Sequence, residues 1–263
     1  MGLIAFEIGG VPVYTYGLIV LCAVLVGAGV AYLSLRFHGE RTGRLLDLLL
    51  FGLPLALVCG RLAFVLCHCA LFRGHWGEIF ALTHGGFSLY GCIAGLFLAV
   101  LGYSLVHGIG VWHWLDLLVP AFLLALSLYE LGMFWMQMTL GEPLPADLPN
   151  DHRLAEYVEF CYRPAACRDV LYFEPIALYE AGMQFGAFLL VTVLAALDAH
   201  VHHLRAGVLF LIGALLVAGI RFGCGFFYQN SETGVPLGQI LSGGAVLACL
   251  ICLFFRLRAR RSF

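Results

Sequence analysis

Seven long apolar segments, separated by shorter polar stretches, form the main pattern of the chain. They lie near residues 15–35, 47–69, 87–106, 114–138, 176–198, 207–227 and 236–255. A helix needs about 20 apolar residues to cross a bilayer, and each segment can supply them. The pattern therefore predicts an all-α integral membrane protein, with seven transmembrane helices in one polytopic domain over residues 1–263. The longest predicted connection, residues 139–175, joins the fourth segment to the fifth.

Composition supports a membrane protein and argues against several other classes. Of the 263 residues, 62% are hydrophobic and 11% are charged, whereas soluble domains are roughly 45–50% apolar and about 25% charged. No basic stripe with interleaved aromatic residues is present, so we expect no nucleic-acid partner. The ten cysteines show no zinc-binding spacing with histidine, and most lie in apolar runs, where cysteine is a small core residue. We therefore predict no metal and no cofactor.

Arginine is concentrated on one side of the predicted bundle. Arg36, Arg41 and Arg44 follow the first segment, Arg205 follows the fifth, and four more arginines lie within residues 256–261. Cytoplasmic segments of membrane proteins carry an excess of basic residues. We therefore expect a cytoplasmic carboxyl terminus, a periplasmic amino terminus and an external 139–175 loop.

The start of the third segment, residues 83–95 (THGGFSLYGCIAG), interleaves polar side chains with glycine. A helix N-terminus carries unpaired N–H groups and the positive end of the helix dipole, which suit a phosphate. Irregular polar backbone is tolerated at membrane depth where protein buries it or a wet cavity borders it. The glycines would equally allow two helices to pack closely. The stretch indicates either a site or close packing, and its candidate site residues are His84, Gly85, Gly86, Ser88 and Tyr90.

Two arginines lie deep within apolar segments. Arg61 is 14 residues after Asp47 and Arg221 is 14 residues after Gly207, which corresponds to about 21 Å of helix rise. An intramembrane arginine is costly unless it faces a carboxylate or a wet cavity. For Arg61 the alternatives are an ion pair, with Glu130 or Glu180 for example, or binding of an anionic group. We expect both arginines to face one outward-opening cavity.

Further polar residues map to the outer half or the middle of the predicted bundle: Tyr16, Glu142, Tyr179, Glu180 and Gln239. With the two arginines they predict a cationic pocket that suits an anionic lipid headgroup, because arginine binds phosphate through two parallel hydrogen bonds. In the long loop, Cys161 and Cys167 are compatible with a disulfide or with two free thiols.

These motifs resemble the prolipoprotein diacylglyceryl transferase family along nearly the whole chain. The similar runs are IAFEIGGVPVYTYGL with Tyr16 at the family's amino-terminal tyrosine, GRLAFV with Arg61, HGGFSLYGCIAG, EPIALYEA with Tyr179 and Glu180, GIRF with Arg221, and LGQILS with Gln239.

The chain departs from this family in its signature run, Gly-Arg-Ile-Gly-Asn-Phe-Ile-Asn-Gly-Glu. One alignment places Glu130 and Met133 at the signature Arg and Asn, and another places Phe134 and Gln137 there. The signature Arg is absent in both. Three further motif positions also differ, with Tyr90 and Glu174 in place of His and Gly225 in place of an acid.

The resemblance implies a bacterial inner-membrane enzyme that moves diacylglyceryl from phosphatidylglycerol to the lipobox cysteine thiol of a lipoprotein precursor. Such chemistry needs a base near the thiol and cations at the leaving phosphate. We predict His84 as the base, with Tyr16, Tyr90 and Arg221 as further catalytic residues. The predicted substrate-binding residues are Arg61, Gly85, Gly86, Ser88, Glu142, Tyr179, Glu180 and Gln239.

The expected partners are phosphatidylglycerol, the precursor peptide and the membrane, with the protein acting as a monomer. Because the signature is altered, the activity is expected to be impaired or directed to another acceptor. The alternative is a non-catalytic relative that binds an anionic lipid or a lipoprotein. A transporter is the weakest hypothesis, since no inverted repeat is found.

Overall fold

The computed structural model describes residues 4–8, 11–72, 74, 76–80, 85–144, 154–164, 167–201, 204–228 and 237–258. Within this part of the chain there are seven α-helices, all within four residues of the predicted segments. They are α1 (Thr15–Phe37), α2 (Gly43–Cys67), α3 (Leu89–His107), α4 (Val111–Trp135), α5 (Ile176–Val201), α6 (Val208–Cys224) and α7 (Leu237–Arg258).

Six of these helices are long and apolar enough to cross a membrane. The helix α6 has 17 residues and rises about 25 Å, slightly less than the ~30 Å hydrocarbon core of a typical bilayer. The prediction of an all-α membrane protein is confirmed, with α6 as its shortest apolar helix.

Two short antiparallel hairpins accompany the helices. The first pairs β1 (Ile4–Ile8) with β2 (Val11–Tyr14), and the second pairs β3 (Glu156–Tyr157) with β4 (Tyr172–Phe173). The first hairpin is rich in β-branched and aromatic residues, which favour extended backbone. The sequence pattern did not predict either hairpin, because segments of this length are invisible to a search for membrane spans.

The chain forms two compact units. The first contains residues 1–31 and 118–263, and the second contains residues 32–117. The helices α1 and α4 contribute residues to both.

In the second unit, small residues bring α2 and α3 close together. A side chain on Gly91 would meet the Cys59 carbonyl oxygen at 2.6 Å, and one on Gly95 would meet the Ala56 Cα at 2.7 Å. Such close approach of backbones is how membrane helices gain van der Waals contact without a hydrophobic driving force. The packing interpretation therefore holds for Gly91 and Gly95.

In the first unit, apolar residues of α4, α5 and α6 form a buried core. Its buried members are Val119, Leu123, Ala187, Val191 and Leu209. Leu123 and Ala187 each lie seven residues, or about two helical turns, from a carboxylate on the same helix. The packing of the core thereby orients the charged faces of α4 and α5.

A small patch of extended backbone joins three helix ends of the first unit. The Gly141 N–H donates to the Glu174 carbonyl at 3.0 Å, and the Glu174 N–H donates to the Glu142 carbonyl at 3.0 Å. Gly141 also forms an antiparallel bridge with Tyr228. The start of the long loop is thereby tied to the start of α5 and to the segment after α6.

Candidate functional site

Arg61 lies on α2 and is bound by the backbone that leads into α3. Its Nε donates to Ile79 O at 3.0 Å, and its Nη2 donates to Glu78 O at 2.6 Å. Its Nη1 donates to Gly85 O at 2.5 Å and to Gly86 O at 3.1 Å. The residue is buried, and four carbonyl dipoles take the place of its hydration shell.

The charge of Arg61 is solvated rather than neutralised. Its guanidinium lies over the rings of Phe64 and Phe72, at 5.9 and 5.4 Å from their centroids. Among the described residues, no carboxylate forms an ion pair with it. Glu130 and Glu180 belong to the first unit, where both pair with Arg221. A full positive charge therefore remains beside the N-terminus of α3.

Gly85 and Gly86 are shaped around this guanidinium. Both have left-handed backbone, with φ of +73° and +72°, a conformation that other residues adopt only with strain. A side chain on Gly86 would also lie 2.7 Å from Arg61 Nη1. The two glycines let consecutive carbonyls point at one arginine.

The N-terminus of α3 is capped within the same unit. Ser88 is its N-cap, and the Ser88 hydroxyl oxygen accepts from the Gly91 N–H at 3.5 Å. The Ser88 N–H donates to the Gly60 carbonyl at 3.0 Å. Tyr90, the second residue of α3, is half-buried. His84 lies outside the described residues, so its role as the base stays a prediction.

The first unit contains a buried cluster of three charges from three helices, Glu130 on α4, Glu180 on α5 and Arg221 on α6. Arg221 Nη2 contacts Glu130 Oε1 and lies 3.7 Å from Glu180 Oε2. The side chains of Glu130 and Glu180 are 2% and 0% exposed, whereas that of Arg221 is 15% exposed. We name these three residues the charged cluster.

Two tyrosines that the sequence did not single out lie around the charged cluster. Tyr129, next to Glu130 in sequence, packs edge-to-face against Tyr16 with ring centroids 6.4 Å apart. Tyr228 follows α6, where burial raises the pKa of its phenol well above the ordinary value and the negative charge of Glu180 raises it further. Tyr228 is therefore a neutral hydroxyl group near Glu180. Its position seven residues after Arg221, in GIRFGCGFFYQN, is the only sequence signal for it.

Gln184 is a further buried polar residue that sequence reasoning missed. It is 0% exposed, and neither atom of its amide group has a hydrogen-bond partner among the described residues. The two carboxylate oxygens of Glu180, one helical turn earlier on α5, likewise accept no hydrogen bond there. Unpaired buried polar groups cost free energy. Packing alone therefore does not explain why Glu180 and Gln184 are buried on α5. The spacing of Glu180 and Gln184 could have signalled it.

The other predicted site residues have varied positions within the first unit. Glu142 is exposed, Tyr179 is half-buried, and Gln239 is buried near the start of α7. A side chain on Gly225 would lie 3.3 Å from Gln239 Cγ, so α6 and α7 meet there. In the long loop, Cys161 and Cys167 are not joined by a disulfide.

Each unit therefore offers a different electrostatic environment. In the described second unit, a buried arginine without a carboxylate partner lies beside a helix N-terminus. The first unit sets two carboxylates against one guanidinium. Among the described residues, no group of histidine, cysteine and acidic side chains could hold a metal ion.

Comparison with known proteins identifies the family. Residues 3–255 match the model of the prolipoprotein diacylglyceryl transferase family. The phosphatidylglycerol–prolipoprotein diacylglyceryl transferase of Bacillus velezensis is 26% identical over 260 residues, which cover 96% of this chain and 91% of that protein. The transferase of the same name from Chloroflexus aggregans is 28% identical over 285 residues, covering 99% and 90%. The family match begins before the first hairpin and ends within α7, and the chain therefore belongs to the prolipoprotein diacylglyceryl transferase family.

Proposed function

We propose that this protein transfers diacylglyceryl from phosphatidylglycerol to the lipobox cysteine of a lipoprotein precursor, in the bacterial inner membrane. The observation that carries the proposal is the buried, uncompensated Arg61 at the N-terminus of α3, within a family match that covers residues 3–255. The relatives are named for this reaction and for this donor.

The proposed reaction is a substitution at the glyceryl carbon that carries the phosphate oxygen. The cysteine sulfur attacks that carbon, so that a carbon–sulfur bond forms and the carbon–oxygen bond breaks. The thiol proton is taken up by a base, for which His84 is our candidate, and ends in solvent or on the released glycerol phosphate. A base is needed because a free cysteine, with a pKa near ~8.5, is mostly protonated at neutral pH.

In the second unit, Arg61 and the N-terminus of α3 supply the attraction for the lipid phosphate. The carbonyls of Gly85 and Gly86 hold the guanidinium in place, and Ser88 and Tyr90 lie at the start of the helix. Fixed dipoles and charges of this kind stabilise developing negative charge without having to reorganise. We assign phosphate binding to Arg61 and hydrogen bonding to Ser88 and Tyr90.

In the first unit, Arg221 is our second candidate for the developing phosphate charge, and Tyr16, Tyr179 and Gln239 are candidate polar contacts. Because Glu130 and Glu180 both pair with Arg221, its electrostatic contribution is reduced. Loss of one preorganised stabilising group commonly costs about 10²–10³ in rate. We therefore expect transfer to be slower than in relatives that carry the full signature, whose Arg is missing here.

The test is transfer by the purified full chain, reconstituted in vesicles that contain phosphatidylglycerol, to a synthetic lipobox peptide. We expect a thioether-linked diacylglyceryl peptide by mass spectrometry and equimolar release of glycerol phosphate. A peptide with serine in place of the lipobox cysteine is the control, since it lacks the nucleophile. No product over many hours, from protein that binds both substrates, would contradict the proposal.

The pairing of Arg221 with two carboxylates also favours a second candidate, a protein that binds phospholipid or lipoprotein without chemistry. This alternative predicts saturable binding of the lipid or of the lipobox peptide with no thioether product. The transfer assay separates the two functions directly.

A further inference from the structure

The second hairpin, β3 with β4, is attached to the ends of two helices that are long enough to span a membrane. Gln137, two residues after α4, donates from Nε2 to the Tyr157 carbonyl at 2.7 Å, and its Oε1 accepts from the Glu159 N–H at 3.3 Å. Phe173 of β4 is three positions before Ile176, the first residue of α5, so at most about 11 Å of chain separates them. The interfacial layer on each side of a bilayer is about 5–8 Å deep. The attachment therefore keeps the hairpin close to that layer.

The backbone of Gln137 shows that this attachment is specific. Gln137 has a φ of +53°, and it is the only residue other than glycine with positive φ in the described part of the chain. A left-handed residue with a side chain costs roughly 1–2 kcal/mol. Two hydrogen bonds from the same side chain to the backbone of the hairpin offset this cost, so the hairpin is fixed at the end of α4.

The two faces of the hairpin differ in burial. Glu156 pairs in register with Phe173, and both side chains are buried. Tyr157 pairs with Tyr172, and their rings pack edge-to-face with centroids 6.0 Å apart. Successive side chains of a strand point to opposite faces. The buried pair therefore directs the tyrosine pair outward, where Tyr157 is 52% exposed.

Two arginines extend the tyrosine pair into a continuous patch. The guanidinium of Arg163 lies 5.8 Å from the ring centroids of Tyr157 and Phe160, and that of Arg168 lies 6.0 Å from Phe160. Phe160 is 64% exposed. Neither arginine forms an ion pair with another described residue. We name this set of side chains the aromatic–arginine patch: Tyr157, Phe160, Arg163, Arg168 and Tyr172.

The composition of the patch is typical of a membrane–water interface. A single exposed apolar residue is ordinary on a surface that faces water, but here exposed rings are continuous with arginines. Aromatic rings lie at headgroup level in membrane proteins, and arginine binds phosphate. Trp135, the last residue of α4, is 60% exposed and is two residues before Gln137. Exposed Glu159 and Asp169 balance the two arginines, so the surface suits phospholipid in general rather than anionic lipid alone.

We propose that the aromatic–arginine patch lies in the headgroup layer of the surrounding bilayer and anchors the long loop there. The rings of Tyr157 and Phe160 lie beside the upper acyl chains, and Arg168 binds lipid phosphate. This inference goes beyond the proposed function, because it concerns contact with bulk bilayer lipid rather than with the reacting lipid. It also holds for either orientation of the termini.

The test measures the depth of position 160 with a fluorescent side chain. Full-length Phe160→Trp protein is reconstituted in phosphatidylcholine vesicles whose acyl chains carry bromine near the glycerol end or near the methyl end, and the fluorescence of the wild-type protein is subtracted. Bromine quenches tryptophan at close range. We expect the shallow bromine to quench about twofold more than the deep bromine, because an aromatic anchor lies at headgroup level.

The matched control is Leu190→Trp, the same introduced residue at an exposed position in the middle of α5, where the deep bromine should quench more. Tyr157→Trp is the second test variant, a conservative change within the patch, and it serves if Phe160→Trp does not fold. Arg168→Gln, combined with Phe160→Trp, removes a phosphate contact. It should shift the introduced tryptophan toward water and raise its quenching by acrylamide, a neutral aqueous quencher.

Two results would overturn the inference. Strong quenching by acrylamide with no effect of either bromine would place the patch in water. Shielding from acrylamide that appears only after a lipobox peptide is added would identify the patch as a peptide-binding surface. Quenching that Arg168→Gln leaves unchanged would contradict the role of that arginine. These measurements require no transfer, so the failure of this inference and the failure of the proposed function are distinguishable.

Discussion

At the scale of residues, Arg61 and Arg221 are stabilised by different kinds of partner. Arg61 is surrounded by four backbone carbonyls and two aromatic rings, whereas Arg221 is paired with two carboxylates. Carbonyl dipoles solvate a charge without cancelling it, while carboxylates cancel it. The two arginines, which look equivalent in sequence, therefore differ in what they can attract.

The first prediction concerns Arg61→Lys. Lysine keeps the charge but cannot reproduce the rigid fork of donors that reaches four carbonyls. We expect a loss of about 2 kcal/mol in unfolding free energy, in line with hydrogen bonds to charged groups, and weaker binding of phosphatidylglycerol. Thermal unfolding and lipid titration measure the two effects. Arg41→Lys, at an exposed position of the same unit, is the control; equal effects of both changes would contradict the prediction.

The second prediction concerns Glu156, a buried acid on β3 outside the membrane-spanning helices. Burial raises its pKa from 4.5 to about 7, and its Oε2 has no hydrogen-bond partner among the described residues. The folded state therefore binds this proton more tightly than the unfolded state. The contribution of Glu156 to the free energy of unfolding is fully present below about pH 4.5. It is lost as the pH rises through about 7, and the loss reaches roughly 3 kcal/mol.

Glu156→Gln should remove this pH dependence, because the amide does not titrate. Hydrogen exchange of residues 154–173 between pH 5 and 8 measures local opening, after correction for the intrinsic exchange rate. Glu159→Gln, at an exposed acid nearby, should retain the wild-type slope. A Glu156→Gln protein whose loop still loosens with rising pH would show that another group is responsible.

At the scale of elements, the close contact of α2 and α3 positions the candidate phosphate site. Arg61 is on α2, and the carbonyls of Gly85 and Gly86 precede α3, so the site forms only when the two helices approach. Gly91 and Gly95 permit that approach. The glycines within α3 therefore allow close helix packing, and the glycines before α3 orient the carbonyls that hold Arg61. Both interpretations of the glycine-rich stretch, close packing and a candidate site, apply to different parts of it.

The third prediction compares two glycines of α3. Gly95→Val places atoms within 3 Å of the α2 backbone, whereas the Gly102 Cα faces open space. Overpacking of this kind typically costs about 1–3 kcal/mol. Gly95→Val should lower the unfolding temperature and weaken phosphatidylglycerol binding, and Gly102→Val should do neither. Equal unfolding temperatures for the two variants would contradict the close packing of α2 and α3.

At the scale of the whole molecule, the chain is a multi-pass membrane protein of the prolipoprotein diacylglyceryl transferase family. The orientation of its termini stays a prediction that rests on arginine counts in the short connections. An external 139–175 loop would place β3, β4 and the exposed Cys161 on the side where lipoprotein precursors emerge.

The fourth prediction tests that orientation with fusion reporters. A fluorescent protein fused after Phe263 should fluoresce, because its barrel folds in the cytoplasm, and alkaline phosphatase inserted between Cys161 and Cys167 should be active in the periplasm. The reciprocal fusions should be silent. Active phosphatase at the carboxyl terminus would overturn the orientation.

The sequence by itself determined the class, the family and the helices. Membrane spans require long apolar runs whatever their neighbours are, so α1 to α7 could be located within four residues. Chemical type also predicted that two intramembrane arginines need partners. The four short strands were missed, because segments of two to five residues are too short to stand out in a search for membrane spans.

Only the tertiary structure decided which partner each arginine has. Glu130 is 91 residues from Arg221 in sequence, and the carbonyls that hold Arg61 carry no side-chain signal at all. Tyr228 and Gln184 were likewise identified only in the structure, because their burial depends on how α5 and α6 pack. The electrostatic potential at a buried site depends on all the charged and polar groups that folding brings near it. Many of those groups are distant in sequence, so local sequence patterns do not reveal the potential.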